Sequence, residues 1–153
     1  MAGILPGKLM TTTVNGTALR CQMDATLTIS VNVTENESCK PSAEDAYLAN
    51  SWVTQSIDNK SWEITVSAKA YADAIEMSNS DIGELLTTGS PIVQVTFMTT
   101  QTTDYDYDEV FVYSGEAIIT NYTLNGPQTG DGTYDLTFTG NGPLTLTRTP
   151  VTT

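Results

Sequence analysis

The chain contains no histidine. That removes the commonest general base and metal ligand, and with it every Ser–His and Cys–His nucleophile system. Cations are scarce as well: six Lys and Arg stand against 18 Asp and Glu, for a formal charge of -12. Nucleic-acid binding rests largely on Lys and Arg neutralising phosphates, so the composition argues against tight DNA binding. The same reasoning disfavours anionic membranes. No segment approaches the roughly 20 apolar residues of a membrane span. The start, "MAGILPGKLMTTTV", has no basic leader, and Pro6 and Gly7 break its apolar run. The expectation is a soluble chain made in a cytosol. Walker, G-x-G-x-x-G and C-x-x-C motifs are missing too.

There are two cysteines, Cys21 and Cys39. Cys21 sits on the apolar parity of an alternating stretch, as a small buried thiol does. A Cys21–Cys39 disulfide is the alternative, and reducing compartments disfavour it. N-x-[ST] triplets at Asn15, Asn32, Asn36, Asn59 and Asn121 are what a Thr/Ser-rich composition produces without any secretory context.

What the chain does have is Thr and alternation. Charged residues make up only 16% of it, and Thr, Ser and Asn fill the space. The branched Cβ of Thr suits a pleated surface. From Thr17 to Thr34, "TALRCQMDATLTISVNVT", the odd positions run Leu19, Cys21, Met23, Ala25, Leu27, Ile29, Val31, Val33, and the even positions are almost wholly polar. Period two marks a strand with one buried and one wet face. Fifteen such residues span roughly 50 Å, against a radius of gyration of about 15 Å for a compact chain of this length. The strand is longer than its own body requires.

Asn15-Gly16 predicts a two-residue hairpin between a strand near Lys8–Val14 and this long one, with an interruption near Met23–Ala25. Alternation lapses over residues 35–60, which hold Pro41 and five carboxylates and read as a long surface loop. Its apolar groups Tyr47, Leu48, Trp52 and Val53 either fold back on their own core or bury against another copy. "KSWEITVSAKAYA" restores the alternation. Asn79 or Ser80, Asp81, Glu84 and Gly89-x-Pro91 bracket a short helix with Ile82, Leu85 and Leu86 on one stripe. Strands follow at "PIVQVTFMTT", at "VFVYSGEAIITNYTL" with a bend at Ser114-Gly115, at "TYDLTFTG" and at "PLTLTRT". The expected fold is all-β, a β-sandwich or barrel with one short α-helix at its side, in a single domain 1–153.

The one concentrated set of chemical groups is "DYDYDE". It places Asp104, Asp106 and Asp108 on one parity and Tyr105 and Tyr107 on the other. Calcium takes six to eight oxygens, but the Gly and closing Glu of an EF-hand are missing. A solvated hairpin tip is the simpler reading, and no metal or cofactor is expected. Carboxylates distant in sequence can meet as a glycosidase pair, yet substrate-stacking aromatics are few. No enzyme activity is expected.

In order, "VNGTALRCQMDATLTISV", "CKPSAEDAYLANSWV", "KSWEITVSAKA", "ELLTTGSPIVQVTF", "YSGEAIITNYTLNGP" and "YDLTFTGNGPLTL" resemble the major tail, or tail tube, protein of long-tailed bacteriophages over nearly the whole chain. The departure is Asn50-Ser51-Trp52, where that family often carries Gly-Trp. The resemblance implies a homo-oligomer: hexameric rings that stack into a tube in the virion tail, joined by other tail proteins. The subunit would be made in the bacterial host cytoplasm, and DNA would pass through the tube without tight binding and with no membrane involved. It also implies kinship with type VI secretion tubes, from which sequence separates it poorly. In a tube the long strand is accounted for: one face covers the subunit's core and the other lines a channel, while its edges pair with neighbours. Lumen-facing candidates are Asp24, Thr26, Thr28, Ser30 and Asn32. Candidates for subunit or ring contacts are Tyr47, Trp52, Asp104, Tyr105, Asp106, Tyr107 and Asp108. A surface adhesin or carbohydrate-binding sandwich is the alternative, resting on Trp52 and the Tyr/Asp tip.

Overall fold

The computed structural model describes residues 7–19, 22–35, 55–70, 79–99 and 109–150. Cys21, Cys39, Tyr47, Leu48, Trp52, Val53 and the run Asp104–Asp108 lie outside the described residues. Contacts group the chain into two units, one of Met1–Thr28 with Trp62–Thr153 and one of Ile29–Ser61.

The strands are β1 (Met10–Val14), β2 (Thr17–Ala18), β3 (Gln22–Glu35), β4 (Gln55–Lys69), β5 (Ile92–Thr99), β6 (Glu109–Asn125), β7 (Thr133–Gly140) and β8 (Thr145–Pro150), with one helix, α1 (Asn79–Thr87), between β4 and β5. The fold is all-β with one short helix, as the periodicity predicts. The strands form one sheet in the order β2-β1-β5-β6-β7-β4-β3, with β8 paired to β6. Asn15 and Gly16 both have positive φ, 51° and 84°, which is the type I′ requirement, and Val14 pairs with Thr17 across them.

Three boundaries differ from the sequence reading. Residues 7–9 are a 3-10 turn rather than strand. Met23–Ala25, where an interruption is expected, lie inside β3. Strand β4 starts at Gln55, so residues 55–60 are strand and not loop. Asn59 and Lys60 carry no strand propensity of their own; pairing with β3 overrides it.

Within the first unit, one side chain links the start of β3 to β1. The Gln22 amide accepts from the Thr12 N–H at 2.9 Å and donates to the Thr12 carbonyl at 2.8 Å. It stands where a neighbouring peptide group would. In a flat sheet β1 and β3 would be five strand spacings apart, roughly 24 Å, so this sheet is curled and Gln22 sits at its seam.

The core lies on the inward parity of β4, β5, β6 and β7: Trp62, Ile64, Val66 and Ala68; Val93, Val95 and Phe97; Ala117 and Ile119; Tyr134, Leu136 and Phe138. Ile82 of α1 is fully buried against it, with Leu85 and Leu86 half-buried beside it. The N–H groups of Thr88 and Gly89 both close on the Glu84 carbonyl at 2.9 Å and end the helix.

Trp62 joins three strands. Its indole N–H donates to the Gly142 carbonyl at 3.0 Å. The ring occupies the space that a Cβ would need at Gly140, 2.4 Å from indole atoms, and at Gly115, 2.8 Å away. Those two glycines exist to admit it. Strand β6 does not break at Ser114-Gly115. Instead its partner changes there, from β8 (Glu109–Ser114) to β7 (Ala117–Asn125). The irregularity falls at Thr120, between Ile119 and Asn121. One extra residue switches the inward parity from Phe111, Tyr113, Ala117 and Ile119 to Tyr122, which packs against the core and near Tyr134.

Gly140→Ala forces the Trp62 ring from its site. It is expected to lower stability by about 1–3 kcal/mol, seen as a lower urea midpoint with unchanged slope. Gln22→Leu takes away the acceptor of the Thr12 N–H, while the Thr12 carbonyl keeps the Leu19 N–H at 3.3 Å, and is expected to cost about 1–3 kcal/mol in the same assay.

Candidate assembly interface

Strand β3 carries its alternation through both units, but burial follows it only part of the way. Ala25 and Leu27 are half-buried and pack on the core. From there the apolar parity is bare: Ile29 is 52% exposed, Val31 49% and Val33 47%. The polar parity, Asp24, Thr26, Thr28, Ser30, Asn32 and Thr34, is exposed throughout. The expected single buried face is therefore confined to Ala25 and Leu27, since Met23 before them is also 47% exposed. Among its described residues the second unit is a two-stranded ribbon, residues 29–35 of β3 and 55–61 of β4, and a ribbon of two strands has no layer to cover either face. Its cross-strand polar bonds, Asn32 to Asn59 and Thr34 to Asp58, are all exposed. Ile57, on the β4 parity opposite Trp62, is 63% exposed.

Covering what remains exposed on Ile29, Val31 and Val33 is worth roughly 1 kcal/mol each. Strand β3 is also last in the sheet order, with β4 as its one paired neighbour among the described residues. An edge of this length, carrying an apolar row, is a template for another chain. Charge permits the approach. The described ribbon residues carry only Glu35, Asp58 and Lys60, so the ribbon holds little of the repulsion implied by the chain's charge of -12. Strand β8, six residues long, is among the described residues paired only to β6; it ends on Pro150, which has no N–H to offer a further strand.

The lumen candidates Asp24 and Thr26 are placed beside Thr65, Ser67, Asp135 and Thr137, with which they line one shallow groove. The polar face thus extends over β4 and β7, where the sequence reading had named no site residues. The signal was there: Glu63, Thr65 and Ser67 alternate with Trp62, Ile64 and Val66, and Asp135, Thr137 and Thr139 with Tyr134, Leu136 and Phe138. Tyr47, Trp52, Asp104, Tyr105, Asp106, Tyr107 and Asp108 lie outside the described residues, so their expected contacts are not placed. Among the described residues no group of three His, Cys, Asp or Glu is arranged to hold a metal ion.

No protein-family model and no curated protein matches the sequence. Solved structures do. The chain superposes on a component of the virion of a native gene transfer agent particle with a TM-score of 0.67 and 14% identity, over 94% of this chain and 99% of the other. It matches the tail of an empty gene transfer agent particle, refined helically in C6 symmetry, with a TM-score of 0.69 and 13% identity, at the same coverage. It also matches the anti-feeding prophage cap that terminates that particle's tube, with a TM-score of 0.67, 11% identity, and 97% and 94% coverage. A contractile injection system's sheath-tube complex gives 0.64 and 12% identity over 95% and 93%. Both chains are covered almost end to end, so the likeness is one of whole fold: this chain has the fold found in phage-like tails and in the tubes of contractile injection systems.

Proposed function

We propose that the chain is the non-enzymatic structural subunit of a phage-type tail tube. Six copies close into a ring, rings stack, and DNA runs through the bore on ejection from the virion. The observation that carries this reading is the bare row Ile29, Val31 and Val33 on an edge strand paired, among the described residues, on one side only. These are half-exposed β-branched side chains in perfect alternation, and a second copy supplies the cover that the subunit's described residues do not. Closing the strands of six subunits into a ring removes the open edges.

Asp24, Thr26, Thr28, Ser30 and Asn32 then fall to the lumen. They are small and polar, and they include no Lys or Arg, so phosphates passing them find no counter-charge. Tyr47, Trp52 and the run Asp104–Asp108 make the contacts between subunits or rings, and other tail proteins meet the tube at its ends.

Electron microscopy of the purified protein at high concentration is expected to show rings or tubes, and a strictly monomeric particle at every concentration and salt overturns the reading. Raising ionic strength from low values is expected to promote assembly, because salt screens subunits of like charge; sedimentation velocity reads the shift. Val31→Asp is expected to abolish assembly while changing monomer unfolding by no more than about 0.5 kcal/mol, as surface substitutions do. Deleting residues 104–108 is expected to block stacking, and tubes of normal length from that variant would remove the run from the contact.

A further inference from the structure

The sequence holds three Asn-Gly pairs: Asn15-Gly16, Asn125-Gly126 and Asn141-Gly142. All six residues are exposed. Asn before Gly is the dipeptide most open to deamidation, because the second residue has no Cβ to hinder attack by its main-chain nitrogen. That nitrogen gives its proton to water or hydroxide and bonds to the Asn side-chain carbonyl carbon. Ammonia leaves, and a cyclic succinimide remains. Water then opens the ring at either carbonyl, giving aspartate or isoaspartate. Local sequence and exposure hardly separate the three pairs, and two of them share a following proline, Pro127 and Pro143.

The fold does separate them. The Asn15 N–H donates to the Gln94 carbonyl at 2.7 Å, and its Oδ1 accepts from the Gln94 N–H at 3.0 Å. The Asn141 N–H donates to the Glu116 carbonyl at 2.8 Å, and its Nδ2 donates to Glu116 Oε1 at 2.9 Å. Each of these two asparagines is thus tied, through main chain and side chain together, to one residue of another strand, β5 in the first case and β6 in the second. Ring closure needs the side chain to swing until its carbonyl carbon meets the next main-chain nitrogen, and the side-chain bond must be given up for that. Asn125 carries no such tie. It is the last residue of β6, opposite Thr133 at the end of the ladder with β7. Among the described residues no hydrogen bond holds its side chain. Nothing lies within 4 Å of the place a Cβ would take on Gly126, and strand ends are where local opening costs least.

We propose that Asn125 is a covalent modification site: in the folded chain it deamidates to aspartate or isoaspartate, while Asn15 and Asn141 are shielded. Water is the co-reactant and ammonia the leaving group. The change adds a negative charge to a chain already at -12. As isoaspartate it also adds a main-chain methylene where β6 leaves for β7. None of this depends on the chain forming a tube.

The experiment holds the purified protein at mildly alkaline pH, once in buffer and once unfolded in urea. Mass spectrometry follows conversion at each Asn-Gly pair, and enzymatic methylation scores isoaspartate. In the folded protein Asn125 is expected to convert roughly tenfold or more faster than Asn15 and Asn141, the effect of one or two hydrogen bonds. Unfolding is expected to bring the three rates together. Glu116→Ala takes the acceptor from the Asn141 side chain; it is expected to speed Asn141 severalfold and leave Asn125 unchanged, with circular dichroism confirming the fold. Equal conversion of all three pairs in the folded protein overturns the proposal, as does an Asn125 that stays intact while the unfolded chain reacts. Unequal rates that persist in urea trace the selectivity to sequence and refute the shielding. An Asn141 that remains slow in folded Glu116→Ala refutes it as well. Should that variant not fold, the wild-type comparison between buffer and urea decides alone.

Discussion

The indole of Trp62 holds the first unit together. From β4 it reaches β6 and β7, filling the space over Gly115 and Gly140 and donating to the Gly142 carbonyl. Everything near it is arranged around its bulk. Two strands give up a side chain to admit it, and the β7–β8 connection is pinned nearby, where the Asn141 main chain and side chain both bond to Glu116. The partner change along β6 happens at this point: Gly115, against the ring, lies between the end of the β8 pairing at Ser114 and the start of the β7 pairing at Ala117. Anchored there, β4 has a fixed inward parity from Trp62 to Ala68, and so a fixed outward parity of Glu63, Thr65, Ser67 and Lys69.

That anchoring gives meaning to the bare ribbon. Strands β3 and β4 are each well specified where they belong to the first unit, since slipping either by one residue would turn its inward set to water. Beyond Thr28 and before Trp62 nothing within the described chain supplies such a penalty. The alternation of Ile29, Val31 and Val33 is nonetheless as strict as that of Ala25 and Leu27. A pattern kept without an internal layer to reward it is economically read as matching a layer that comes from outside.

Much of this was legible beforehand, and the failures have physical causes. Asn15-Gly16, the helix with Ile82 inward, and the buried parities of β4, β5 and β7 follow from local turn chemistry and short-range periodicity. Burial of β3 was misjudged because alternation records which face is apolar and says nothing of whether the same chain covers it. The start of β4 was missed because Gln55–Ser61 has mixed propensity and becomes strand through pairing. The Gln22 clamp had no signal at all: a glutamine replacing a peptide group is visible only once Thr12 is seen opposite it. The polar face over β4 and β7 shows in the sequence as plain alternation, but alternation does not distinguish an assembly face from an ordinary solvent face.

The extra residue at Thr120 has an effect on tolerance to error. Strand β6 touches β5, β8 and β7, more partners than any other strand here, so a slip anywhere along an unbroken β6 would propagate into all three pairings. The bulge divides it into two segments that are phased independently, Phe111 to Ile119 and Tyr122 to Leu124. Misalignment of the hairpin with β7 therefore stops at Thr120, and the segment seated under Trp62 keeps its alignment.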